Sequence, residues 1–301
     1  MARRLRIAHS SHGPANSPLA MALEFGYFTD RGLDVIAEEV PNTAVCVDRL
    51  ATGDADIAGA PGVPILLAAR DGLDAVVILS AASENVFGVI GARHIASPRD
   101  LVGGVVGTTT VHDQGYIVLH RALRDWDIDP VRDVETRELG NRGMEWKAIL
   151  AGDIDAFATT IPQPILARKV GLPVLRDFMD ESEPYQLGCM VTTRAFADRQ
   201  PDVVHDFLDA MLDAYRVFQL DFETTLPFLR ARSKVDDDDV LAETHRIFVR
   251  EFDHYAPRAE ALANVARDLE ATLGRPLSVD VNRLVDASFL PDRGPVDEAH
   301  A

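Results

Sequence analysis

Two stretches of the chain, about a hundred residues apart, repeat one pattern. The first runs Ala51-Thr52-Gly53-Asp54-Ala55-Asp56-Ile57-Ala58, then Pro61, Pro64-Ile65-Leu66 and Gly72-Leu73. The second runs Leu150-Ala151-Gly152-Asp153-Ile154-Asp155-Ala156-Phe157, then Pro162, Pro164-Ile165-Leu166 and Gly171-Leu172. Each copy describes one module. A helix stops at a Gly free to take the left-handed cap, and an Asp-x-Asp turn follows. A short apolar strand comes next, and Pro starts the following helix in its first turn. Two copies at this distance predict two similar α/β lobes sharing a ligand cleft.

The 301 residues are enough for two cores of ordinary domain size. Up to about Arg194, strand-like and helix-like segments alternate, which predicts parallel sheets with right-handed crossovers. Predicted strands include Leu5–Ser10, Asn85–Ala92 and Val131–Leu139, and the first long helix is predicted over Pro18–Asp30. Beyond that point four amphipathic helices follow, over Pro201–Gln219, Phe222–Arg232, Asp236–Phe252 and Arg258–Leu273. They are expected to pack on the first lobe. The polar tail Pro291–Ala301 is expected to fray. The chain crosses between lobes at Ser83-Glu84-Asn85 and returns near Gly188–Thr193. The lobes are therefore expected at residues 1–88 plus 194–301 and at 89–193, with a hinge near 83–92 and 186–194.

A net charge of −18 argues against nucleic acid as a partner, since phosphate binding needs a basic face. Cys46 and Cys189 are too few for a disulfide framework and read as buried thiols. Met1-Ala2-Arg3-Arg4 leads directly into a strand, with no apolar segment of a secretion signal, and no run is long enough to span a membrane. The chain as it stands reads as cytoplasmic, or periplasmic if a signal was removed, with no membrane insertion and a monomeric state expected.

Several motifs, in order, resemble the two-lobed periplasmic solute-binding proteins for alkanesulfonates, nitrate, taurine and thiamine precursors. They are Glu24-Phe25-Gly26-Tyr27-Phe28-Thr29-Asp30-Arg31-Gly32-Leu33-Asp34-Val35, then Gly53-Asp54-Ala55-Asp56, Ser97-Pro98-Arg99-Asp100-Leu101-Val102-Gly103 and Gly152-Asp153-Ile154-Asp155. The resemblance implies a type II clamshell that closes by a hinge on a small molecule, with the C-terminal helices on lobe one. It also implies an ATP-driven permease as partner if the chain is exported. Members of this fold include cytoplasmic enzymes. Where the similar thiamine-pyrimidine synthase has a lysine and a histidine, this chain has Ala60 and Pro64. Where a similar aromatic sulfinate desulfinase has its nucleophilic cysteine, this chain has Ser11, His12 and Gly13. Binding is therefore the favoured reading. The alternative is a lyase- or hydrolase-like enzyme using His12 and His112 as an acid–base pair.

In such sheets ligands sit where strands end and helices begin. In the loop after the first strand, His9, Ser10, Ser11 and His12 are candidate ligand contacts, and Asn16 or Ser17 is expected to cap the helix at Pro18. After the repeat strands, Ala60 and Pro61 face Thr159, Thr160 and Gln163. Thr108, Thr109 and Thr110 precede a helix start and resemble an anion cradle. Arg142 is placed to pair with a carboxylate or sulfonate. Glu84 and Asn85 complete the set at the crossing. The ligand is expected to be anionic, sulfonate- or carboxylate-like, or heteroaromatic. His9 and His12 lack further metal ligands nearby, Asp236–Asp239 reads as an acidic helix start, and no phosphate loop exists, so neither metal nor cofactor is expected.

Overall fold

The computed structural model describes residues 2–10, 13–140 and 143–291. The first sheet is entered by β1 (Arg3–Ser10), β2 (Leu33–Val40), β3 (Ile57–Ala60) and β4 (Ala75–Glu84). The second contains β5 (Phe87–Gly91), β6 (Val105–Thr108), β7 (Glu135–Glu138), β8 (Ala156–Thr160) and β9 (Val174–Asp177). The chain then returns through β10 (Pro184–Thr193) to the first sheet. The strand orders are β2-β1-β3-β10-β4 and β7-β6-β8-β5-β9, so the two sheets have matching plans.

The parallel sheets expected from the alternation are corrected to mixed ones. Strands β1, β2 and β3 run parallel, as do β6, β7 and β8. The fourth strand of each sheet is the one that enters from the other lobe. It arrives from the opposite end and pairs antiparallel: β10 with β3 and β4, β5 with β8 and β9. The predicted strand Asn85–Ala92 is shortened accordingly, because residues 85–86 turn between β4 and β5.

The helices of the alternating part are α1 (Ser17–Glu24), α2 (Tyr27–Asp30), α3 (Thr43–Thr52), α4 (Gly62–Arg70), α5 (Gln114–Asp125), α6 (Met144–Ala151) and α7 (Gln163–Lys169). The single helix expected over Pro18–Asp30 is two, broken where Gly26 takes φ 76°. The strand expected over Val131–Leu139 is trimmed to β7. Asp129 Oδ1 accepts the N–H groups of Val131 and Arg132 and holds the preceding residues in a turn.

The repeat performs the same tasks in both lobes. Gly53 and Gly152 end α3 and α6 in the left-handed conformation, at φ 77° and 78°. The second Asp of each copy then ties its strand to the neighbouring parallel one. Asp56 Oδ2 accepts the Arg6 N–H at 2.9 Å, and Asp155 Oδ2 accepts the Val105 N–H at 2.7 Å. Gly104 makes the second contact possible, because a Cβ there would stand 2.6 Å from Asp155 Oδ2.

The tail contributes α8 (Arg194–Arg199), α9 (Pro201–Leu220), α10 (Phe222–Ser233), α11 (Asp238–Asp253) and α12 (Ala259–Leu273). Along α9 the side chains Val203, Val204, Phe207, Leu208, Met211, Tyr215 and Phe218 are buried where the helix packs on α1, α2, α10 and α11. Phe207 stacks on Phe28 of α2, Tyr215 stacks on Phe252 of α11, and Phe218 meets Phe252 edge-on. Burying each stabilises by roughly 1.5–3 kcal/mol. Helix α12 lies on β10 and α4 and also reaches α5, where Arg121 meets Asp268 at 3.4 Å. The C-terminal helices thus rest on the first lobe and touch the second. Among the described residues, no helix is long and apolar enough to cross a membrane. Most of the tail expected to fray lies outside the described residues.

Candidate functional site

The carboxyl ends of the central strands of both sheets open onto one cavity of about 440 Å³. The first lobe supplies Ser10 at the end of β1, Asn42, Thr43 and Asp48 around the start of α3, and Pro61 and Pro64 at the start of α4. The second supplies Phe87 from β5, the loop from Thr108 to Gly115, Glu145 of α6, and Ala158 and Thr159 of β8. Ser10, Pro61, Phe87 and Gln114 also line a smaller adjoining cavity of about 100 Å³, together with Ala60, Thr160 and Cys189. The smaller cavity is walled largely by apolar and small groups, whereas about half of the residues lining the larger one carry polar side chains.

The structure brings Ser10, Ala60, Pro61, Thr108, Thr109, Thr110, Thr159 and Thr160 together here. His9, Glu84, Asn85 and Gln163 line neither cavity. His9 is buried, its Nδ1 lies 3.3 Å from the Ser10 carbonyl, and burial lowers its pKa. The main-chain N–H groups of Ser83 and Glu84 are held by the buried Glu251 carboxylate, at 2.8 and 3.2 Å. Asn85 Oδ1 accepts from the Phe87 N–H at 3.3 Å. Ser11, His12 and Arg142 lie outside the described residues. His112, the second-lobe member of the acid–base alternative, lines the larger cavity at φ 68° with its ring edge-on to Tyr116. Asn16 stands at the N-cap of α1 but does not cap it with its side chain. Its Nδ2 donates to the Ser10 carbonyl at 3.0 Å and fixes the end of β1.

The three threonines after β6 are organised by carboxylates. Asp113 is the N-cap of α5 and accepts the Tyr116 N–H at 2.7 Å. It also accepts the Thr110 N–H at 3.3 Å and the Thr108 hydroxyl at 3.4 Å. The Thr109 hydroxyl donates to Glu145, which also takes the Gly143 N–H at 2.8 Å. Glu138 takes the Val111 N–H. Two of the three hydroxyls that suggested an anion cradle, those of Thr108 and Thr109, are therefore directed at the chain's own acids.

One contact joins the two walls directly. Gln114 Oε1, at the start of α5, accepts the Val63 N–H in the first turn of α4 at 3.0 Å. Val63 is fully buried and Gln114 nearly so, and the Gln114 Nε2 has no partner among the described residues. Sequence reasoning passed over Gln114, Glu145 and Phe87. Asn42 was open to it, as a capping residue directly after a strand, and its Oδ1 does accept the Val45 N–H.

A family model described as NMT1/THI5 like matches residues 14–219. No curated protein matches the chain in sequence. Among solved structures, the periplasmic aliphatic sulphonate binding protein SsuA from Escherichia coli superposes with a TM-score of 0.75 at 19% identity, over 94% of this chain and 97% of that one. The ligand binding component of an ABC-type import system from Staphylococcus aureus, with zinc bound, gives 0.74 at 13% identity, over 95% and 97%. The Candida albicans CA3427 gene product, described as having the generic periplasmic binding protein fold, gives 0.76 at 14% identity, over 97% and 98%. At these identities the likenesses establish a shared two-lobed fold.

Proposed function

The chain belongs to the NMT1/THI5-like family, and from that premise we propose that it binds a small molecule between its two lobes, which close on it about the crossing strands. The observation that carries this reading is the 440 Å³ cavity, built from strand ends and helix starts of both sheets. That is where ligands of such sheets sit. On this reading the lobes are residues 1–88 with 194–301 and residues 89–193, and the hinge lies near 83–92 and 186–194. Ser10, Pro61, Thr108, Thr109 and Thr159 then serve as first contacts. Delivery of the ligand to an ATP-driven permease, outside the cytoplasm, is part of the proposal. It draws support from the Escherichia coli and Staphylococcus aureus relatives, which are described as periplasmic and as part of an import system.

A thermal-shift screen of the full chain against small metabolites tests the reading, with Thr159→Trp filling the cavity as the control. Compounds that raise Tm in the parent and not in the Trp variant support it. Equal shifts in both proteins place binding elsewhere and contradict it.

A further inference from the structure

Resting on the cleft-binding reading, we propose that the cavity selects a compact organic cation: an N–H-rich amidinium, guanidinium or ammonium head on an apolar body. Four carboxylate side chains line the larger cavity, those of Asp48, Asp71, Asp113 and Glu145. Among the described residues that line it there is no lysine or arginine. Asp71 is paired with Arg70, at 2.7 and 3.0 Å, and its charge is largely met. Glu145 differs. It is 7% exposed and accepts two neutral donors, and no Lys or Arg among the described residues reaches it. Asp48 is exposed at the cavity edge and has no hydrogen bond or ion pair among the described residues.

Two hydroxyls of the second-lobe wall point the same way. Thr109 spends its proton on Glu145, and Thr108 on the Thr110 carbonyl and Asp113. What each oxygen still offers is lone pairs, so these positions are acceptors. At two of the helix starts on the cavity, donors that would otherwise attract an anion are already answered. Asp113 places a full negative charge on the N-terminus of α5. In α4 the Val63 N–H is taken by Gln114, and Pro64 has none.

An independent observation marks this wall as one that meets a ligand. The Gln114 amide nitrogen is buried, unpartnered among the described residues, and belongs to a side chain that lines both cavities. It is a donor left over, which calls for an acceptor or a π face on the ligand's body. Phe87, Val47 and Leu67 give that body an apolar wall. The net charge of −18 adds a long-range field that concentrates cations.

Isothermal titration of the full chain with benzamidine and with benzenesulfonate, matched in ring and opposite in charge, tests the proposal. Benzamidine is expected to bind, more weakly as salt is raised, and benzenesulfonate not to. Glu145→Gln keeps an acceptor for Thr109 and should weaken benzamidine roughly tenfold or more. Asp48→Asn touches nothing structural and should weaken it by about two- to fivefold. Binding of benzenesulfonate in place of benzamidine overturns the inference and leaves the cleft as a binding site. If neither probe binds, the cation inference fails. If, in addition, no compound in the thermal-shift screen distinguishes parent from Thr159→Trp, the cleft-binding reading fails with it. Benzamidine affinity unchanged in both carboxylate variants also overturns it.

Discussion

On the proposed hinge closure, replacing Gln114 with leucine should favour an open form while leaving each lobe intact. Gln114 Oε1 and the Val63 N–H meet at 3.0 Å across the two walls of the cleft, and the N–H is buried. With the lobes apart, water can serve that N–H. With the lobes together, an isobutyl group in place of the amide leaves it unserved, and a buried donor without a partner costs about 1–3 kcal/mol. Loss of the orphaned Gln114 Nε2 offsets part of this, leaving about 1–2 kcal/mol, or roughly a fivefold to thirtyfold shift toward the open form. Spin labels at Thr52→Cys and Leu150→Cys, on the C-terminal ends of α3 and α6, would read the separation of the lobes. Both native thiols, of Cys46 and Cys189, are buried and should stay unlabelled. Gln114→Leu should lengthen or broaden the distance distribution, and Gln114→Glu, which keeps an acceptor oxygen, should largely restore it. An unchanged distribution in Gln114→Leu would refute the idea that this contact holds the lobes together.

Three further outcomes are expected. Burial, with the nearby charges of Arg124 and His112, depresses the His120 pKa from 6.5 to about 4. Between those values the unfolded chain takes up a proton that the folded chain refuses. Stability should therefore fall as pH drops through this window, by up to roughly 3 kcal/mol, and chemical denaturation of His120→Phe should show a flatter acid limb. Gly104→Ala drives a Cβ to 2.6 Å from Asp155 Oδ2, so thermal unfolding should show a loss of about 1–3 kcal/mol. Asp155→Asn should show a similar but smaller loss. Burial pushes the Cys46 thiol up to about 12 and Cys189 higher still, so a thiol reagent should label neither until denaturant is added. Rapid labelling of the native chain would contradict that.

The repeat was legible because its signals are local. Gly53 and Gly152 cap helices by their own backbone freedom, and Asp56 and Asp155 act within one strand pair. The two-lobed plan followed from it. The direction of β5 and β10 was not legible, since nothing in their composition says from which lobe they enter; tertiary placement decides it. In the site, the threonine run after β6 was visible as a cluster of hydroxyls. Its chemistry was only partly so: Asp113, which takes the Thr108 hydroxyl, stands five residues on, but Glu145, which takes the Thr109 hydroxyl, stands 36 residues on. Gln114 carries no spacing signal at all. Its partner Val63 lies 51 residues earlier, in the other lobe. His9 and Asn85 sit in the right segments, but their side chains serve the strand end and the crossing.

Native mass spectrometry of the full chain as purified, beside Thr159→Trp, tests the central claim most directly. The account predicts a small molecule carried by part of the parent population, released on denaturation and absent from the Trp variant. The same adduct on both proteins, or none on the parent after incubation with compounds that raise its Tm, would contradict a ligand site between the lobes.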